Sequence, residues 1–219
     1  MTRRPRLIST AAAGAMAVLL LAGCGGGGDG GSKDNDKIAG ADTGGSASAS
    51  PSASASTSVD RPRIDLPADV KLTFTPEKTG DAVKDAILRD NAELLRALDA
   101  AIVAQDPRLP ALEYYTEGQG AVAAQQWVKS FKDAGWTITG TVRYFDRQVS
   151  VESKDKASLT YCGDESKGYS KVIKTNEIKD TKVTKDSYVA YGVQVQKNEK
   201  GVWELVKIAS TRGADRCQP

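Results

Sequence analysis

The stretch YVAYGVQVQKNEKGVWELVKIAST, Tyr188 to Thr211, decides the fold class. Val189, Tyr191, Val193 and Val195 occupy every second position from Tyr188 to Gln196, so they share one face of a strand. Asn198-Glu199-Lys200-Gly201 turns the chain, and Val202 to Thr211 returns as the second arm of a hairpin. Upstream, Trp136–Ser153 is rich in Thr, Val and Tyr and reads as strand with a bend near Asp146-Arg147. A Lys154-Asp155-Lys156 turn then leads into a further strand, Ala157 to Cys162. Before Trp136 the period changes. Val83, Ile87, Leu94, Leu95, Leu98 and Ile102 recur at spacings of three and four and predict a helix over Asp81–Ala104, closed by Asp106-Pro107. Asp85 and Arg89 stand four apart on its outer face in the favourable order. Leu109–Thr116 predicts a short helical turn. Ala121–Ala134 predicts a second helix that buries Trp127, Val128 and Phe131 and is capped by Gly135. Helices first and strands afterwards give an α+β domain, its N-terminal helices packed on one face of a curved antiparallel sheet.

The N-terminus has a different grammar. Arg3, Arg4 and Arg6 precede an apolar run from Ala11 to Leu21, too short to span a bilayer but of signal-peptide length. The run ends in Leu21-Ala22-Gly23-Cys24, which resembles a bacterial lipobox. That resemblance implies a signal peptide over residues 1–23, cleavage before Cys24, and acylation of its sulfur. Two or more acyl chains, each buried CH₂ contributing about 0.8 kcal/mol, make such an anchor stable. The expectation is a protein held on the extracytoplasmic face of the cell membrane. Residues 24–65 then form the lipidated cysteine and a Gly/Ser/Ala-rich linker, too poor in large apolar residues to offset the entropy of ordering. Residues 66–219 form the domain.

Charge excludes one partner class. The full chain has 30 basic and 28 acidic residues; the signal holds three of the arginines and no acid, so the processed chain carries a net charge of −1. Nothing asks for nucleic acid. The glycines around Cys24 have neither the strand nor the helix of a phosphate loop, and Asp34-Asn35-Asp36 lacks the closing glutamate of a calcium loop. The chain contains no histidine, which removes serine–histidine and cysteine–histidine catalysis and histidine-ligated metals. With Cys24 lipidated, Cys162 and Cys217 remain in an oxidising compartment and are expected to pair as a disulfide, leaving no thiolate metal site. No cofactor is expected.

The element order, with Cys162-x-Asp164-x-Ser166, Trp203 in the final hairpin and a terminal Cys217, resembles the actinobacterial lipoproteins that carry a nuclear-transport-factor-2-like domain. These share the cone fold of ketosteroid isomerase and SnoaL-type cyclases. The resemblance covers about residues 76–217 and implies a pocket between helices and sheet. It transfers no catalytic residue, since no position here matches the isomerase motifs.

From the residues themselves, Tyr114, Tyr115, Tyr144 and Tyr161 are candidates to line the cone, Asp146 is a candidate base among strand residues, and Asn91 interrupts the apolar stripe of the first helix and needs a partner. For the tyrosines the plainer reading is a packed ring, for Asp146 a solvated bend, and for Asn91 a structural hydrogen bond. Asp164 and Glu165 are adjacent, so in a strand they face opposite ways and cannot form a carboxylate pair. The segment Lys167–Lys185 carries six lysines and reads as a solvated loop or protected edge. The sequence thus favours a lipid-anchored envelope protein whose non-catalytic domain binds a small ligand or a partner protein. The rival is an isomerase- or cyclase-type enzyme using a carboxylate and a tyrosine in the cone.

Overall fold

The computed structural model describes residues 60–219; the signal, Cys24 and nearly all of the linker lie outside the described residues. The helical stripe folds as α1, Ala82–Ala104. Asp81 caps it by accepting from the backbone N–H groups of Val83 and Lys84, and Gln105 closes it in the left-handed conformation at φ 55°. After α2, Pro110–Tyr114, comes α3, Gly118–Ala134, ended by Gly135 at φ 69°, where the absence of a Cβ removes the steric penalty.

The strands follow in the expected order, with one addition. A strand at Val70–Phe74, β1, precedes the helices; its apolar alternation of Val70, Leu72 and Phe74 was legible but short. It pairs in parallel with β2, Trp136–Val151, so the sheet has one parallel edge. Antiparallel pairing continues through β3 (Lys156–Val172), β5 (Tyr188–Lys197) and β6 (Trp203–Arg212), while β4, only Ile178–Lys179, lies against the far end of β3. β3 is far longer than its sequence signal, running through Cys162-Gly163-Asp164 into the lysine-bearing segment. Pairing to β5 as far as Asp164, and to β2 beyond it, overrides the weak strand preference of its glycines and charges. Register shifts between Thr141 and Arg143 and between Phe145 and Gln148 bend β2, which curves the sheet around the helices.

One face of the sheet receives the three α-helices of the described residues. Ile87, Leu88, Leu95 and Ile102 of α1, Leu112 and Tyr115 around α2, and Val128 of α3 meet Leu159, Val193, Val195, Trp203 and Leu205 in one core. The backbone of α3 lies so close to β6 that a Cβ on Gly120 would strike the carbonyl of Leu205. At the other end of the sheet, Cys162 in β3 and Cys217 near the C-terminus are both fully buried and joined as a disulfide. The staple expected from compartment and count is present.

Three sequence readings need correction. Val83 is 46 % exposed and Trp127 48 % exposed, because the apolar surface of α1 and α3 is wider than the strip the sheet can cover. Asp85 does not reach Arg89; it accepts from the N–H of Thr79 at 2.6 Å and its hydroxyl at 2.8 Å, while Arg89 bonds Asp90. The packed chain also begins before Leu66. Arg61 donates to both carboxylate oxygens of the fully buried Asp90, at 2.9 and 3.2 Å, and Asp90 accepts the backbone N–H of Trp203 at 3.0 Å. One carboxylate therefore ties the entering segment, α1 and β6 together.

Candidate functional site

A cone-shaped cavity of about 1010 Å³ opens between the helices and the concave face of the sheet. Its walls are apolar: Leu94, Leu98 and Ile102 from α1, Phe131 from α3, Ile138 and Val142 from β2. Trp127 and Trp136 also line it, which accounts for two exposed indoles beside an otherwise filled core. The deep wall is aromatic. Tyr161 stacks on Tyr191 with centroids 5.0 Å apart, Tyr144 meets Tyr161 edge-on at 5.8 Å, and Phe74 stacks behind Tyr144 at 5.4 Å.

Two carboxylates lie inside this cavity, besides the exposed Asp186 that also lines it, and neither is the one the sequence singled out. Asp99 of α1 stands four residues after Leu95 and three before Ile102, which puts it on the buried stripe. Glu165 of β3 stands four residues after Tyr161 and shares its face, while neighbouring Asp164 turns the other way. Both positions follow from periodicity, so this signal was available in the sequence.

The two acids have different surroundings. Glu165 is paired: Arg212 lies 2.9 Å from Oε2, and the Tyr191 hydroxyl donates to Oε1 at 2.8 Å. Asp99 receives no hydrogen bond from the described residues. Burial, with a smaller contribution from the charge of Glu165, pushes its carboxyl up from 3.8 to about 7. Burial also raises the phenol of Tyr144 well above its ordinary value, and the nearby Asp99 charge adds to the effect. Tyr191 is raised by burial and then by Glu165, and Tyr161 is pushed up to about 12 by burial against the lowering effect of Asn91 and Arg147.

Of the candidates named from sequence, Tyr144 and Tyr161 line the cone. Asn91 lies beneath it, buried, its Oδ1 accepting from Nη2 of Arg147 at 3.1 Å. Tyr114 and Tyr115 are elsewhere. The Tyr114 hydroxyl donates to the Asp60 carbonyl at 2.7 Å, and the Tyr115 ring is wholly buried in the core under α2. Asp146 is exposed at the β2 bulge, at φ 49°, and accepts from Gln148 Nε2 at 2.7 Å. The bulge sends Asp146 outward and its neighbour Arg147 inward, where burial lowers the guanidinium to about 10 and the Phe74 ring lies 5.1 Å away. Asp164 accepts the N–H of Ser166 at 3.0 Å and pairs with Arg143 at 3.3 Å, within β3 and outside the cone.

No family model and no curated protein matches the sequence. Among solved structures, a ketosteroid isomerase-like protein from Erwinia carotovora atroseptica SCRI1043 superposes with a TM-score of 0.40 and 14% identity, over 61% of this chain and 98% of that one. A candidate scytalone dehydratase from Novosphingobium aromaticivorans DSM 12444 gives 0.38 and 9%, over 59% and 89%. The intermembrane space region of the chloroplast protein ARC6 gives 0.36 and 11%, over 62% and 99%. Such distant likenesses carry no activity to this chain. The α+β architecture rests on the coordinates themselves: three helices on one face of a curved sheet, with an open cone between.

Proposed function

We propose that the chain is a lipid-anchored envelope protein whose cone holds an apolar small molecule without transforming it. The observation that carries this reading is the open cavity of about 1010 Å³ with apolar and aromatic walls. It lies at the upper end of the size of small-molecule sites, roughly 300–1,000 Å³. A partner-protein reading fits a filled cone better, since a groove for another chain would lie on the outer surface. Retention rather than turnover is supported by the donors. An oxyanion site needs donors converging on one point, but the Tyr191 hydroxyl is committed to Glu165.

One observation favours the isomerase- or cyclase-type alternative: Asp99, with a carboxyl near 7, stands in the cone beside Tyr144. Deuterium exchange at the carbon next to the carbonyl of a bound cyclic ketone, lost in Asp99→Asn, would favour the enzyme over the binder.

Nile red tests the binding reading. Its fluorescence should rise and saturate with the full chain carrying Cys24→Ser, and Ala123→Trp, which places an indole in the cone, should abolish the rise. A signal that does not saturate, or that survives Ala123→Trp, contradicts it. The anchor is tested in cells. Cys24→Ser should move the protein from the membrane to the soluble fraction, and an unchanged membrane fraction would contradict lipidation.

A further inference from the structure

We propose that the molecule held in the cone is a cation: an apolar body carrying a protonated amine that ion-pairs with Asp99 and rests against the tyrosine rings. The proposal rests on the small-molecule reading above and names the ligand's chemistry. It begins with charge inside the cavity. Asp99 and Glu165 both line it, and the one guanidinium among its lining residues, Arg212, is held by Glu165 at 2.9 Å. The second oxygen of Glu165 is covered by the Tyr191 hydroxyl. Asp99 is left facing an apolar space with no described group bonded to it.

The neighbours of Asp99 supply no counter-charge. Glu165 approaches it from β3 and Tyr144 from β2, one an acid and one a neutral phenol, while Tyr191 of β5 lines the same cavity with its hydroxyl on Glu165. Arg212 of β6 belongs to Glu165. The remaining charges are on the rim: Lys71 and Lys182 are exposed to water, Lys179 pairs with Glu177 at 3.1 Å, and Asp186 is again acidic.

Ligand classes can be ranked from this arrangement. An anionic amphiphile would bring a third negative charge into a low-dielectric space beside two carboxylates, the least favourable case. A neutral ligand leaves Asp99 either protonated or charged without a partner. A cation removes that penalty, and the faces of Tyr144, Tyr161 and Tyr191 attract it through their quadrupoles. The apolar walls from α1 and α3 then cover the ligand's body. The perturbed carboxyl agrees with this: it stays partly protonated when the cone lacks a cation, and an ammonium group would draw it back to the charged form.

Decylamine, decanol and decanoate share a ten-carbon chain and differ only in the head, so they isolate the charge. Binding to the full chain carrying Cys24→Ser is read from the fluorescence of Trp127 and Trp136, which line the cavity, and by calorimetry. At pH 8 decylamine should bind at least about tenfold tighter than decanol, the factor that some 1.4 kcal/mol of charge pairing gives, with decanoate weakest. Decylamine affinity should fall between pH 8 and pH 6, as Asp99 takes up its proton near 7, while decanol affinity changes little. Asp99→Asn should lose the preference for the amine over decanol. Equal affinities for decylamine and decanol at pH 8, or a preference that survives Asp99→Asn, would overturn the cation proposal and leave the binding cone intact. Binding by none of the three would overturn both.

Discussion

Asp99→Asn should stabilise the protein at alkaline pH and leave it unchanged at acid pH. The carboxyl ionises at about 7 in the fold and at the ordinary 3.8 when unfolded. Between those values the folded chain holds a proton that the unfolded chain has lost, so stability falls as pH rises through this window. A pKa difference of this size corresponds to at most about 4 kcal/mol, at about 1.4 kcal/mol for each tenfold. The side chain faces a cavity open to water, which screens it, so an observed penalty of about 2 kcal/mol is expected. Asparagine keeps the shape and never ionises, so the variant avoids the penalty. For a domain of this size 2 kcal/mol corresponds to roughly 4–8 °C in Tm. Thermal unfolding followed by circular dichroism at about pH 3 and about pH 8, below and above both values, decides the matter. The two proteins should melt together at the acid pH and separate by several degrees at the alkaline one, with the variant higher. A difference that is the same at both pH values would show that Asp99 is as hydrated as any surface carboxylate and would remove the electrostatic reasoning about the cone.

Three further outcomes test the framework around the cavity. Reduction of the Cys162–Cys217 bond, or Cys162→Ala, should lower stability by about 4 kcal/mol for a sequence separation of 55, and a Tm indifferent to reductant would contradict the staple. Asp90→Ala leaves Arg61 and the Trp203 N–H without their acceptor in a buried setting, a loss of about 3 kcal/mol in chemical denaturation; a loss below about 1 kcal/mol would mean that the clamp is hydrated. In Gly120→Ala the helix gains about 1 kcal/mol of propensity, but the new methyl collides with the Leu205 backbone, so a net loss of about 2 kcal/mol is expected, and a gain would show that α3 and β6 can separate freely.

Much of this architecture could be read from the sequence because periodicity reports it directly. The three- and four-residue spacing of α1 and the alternation of β5 correspond to elements whose ends lie within a residue or two of the reading. Elements set by tertiary pairing were harder. β1 is five residues long, so its alternation is a weak signal, and its partner β2 lies beyond the whole helical segment, so nothing local announces the pairing. The outer half of β3 is strand because β2 lies beside it, despite residues that favour loops.

The site divides the same way. Tyr144 and Tyr161 were found through their aromatic character and strand context. Asp146 was a candidate base only through its strand context, and the plainer reading, a solvated bend near Asp146-Arg147, is what forms as the bulge at Phe145–Gln148 turns its side chain outward. Asp99 was overlooked and Glu165 was weighed only to exclude a pair with Asp164, although α1 and β3 place both by simple counting. Polar residues on an apolar stripe are easily taken as its edge, whereas here they mark the part of the stripe that faces a cavity instead of a packed neighbour.

The central claim is that the cone holds a small molecule, and native mass spectrometry of the chain recovered unheated from its own cells tests it most directly. The account predicts a reproducible extra mass that is lost on denaturation and missing from Ala123→Trp. A bare mass in both proteins would contradict it.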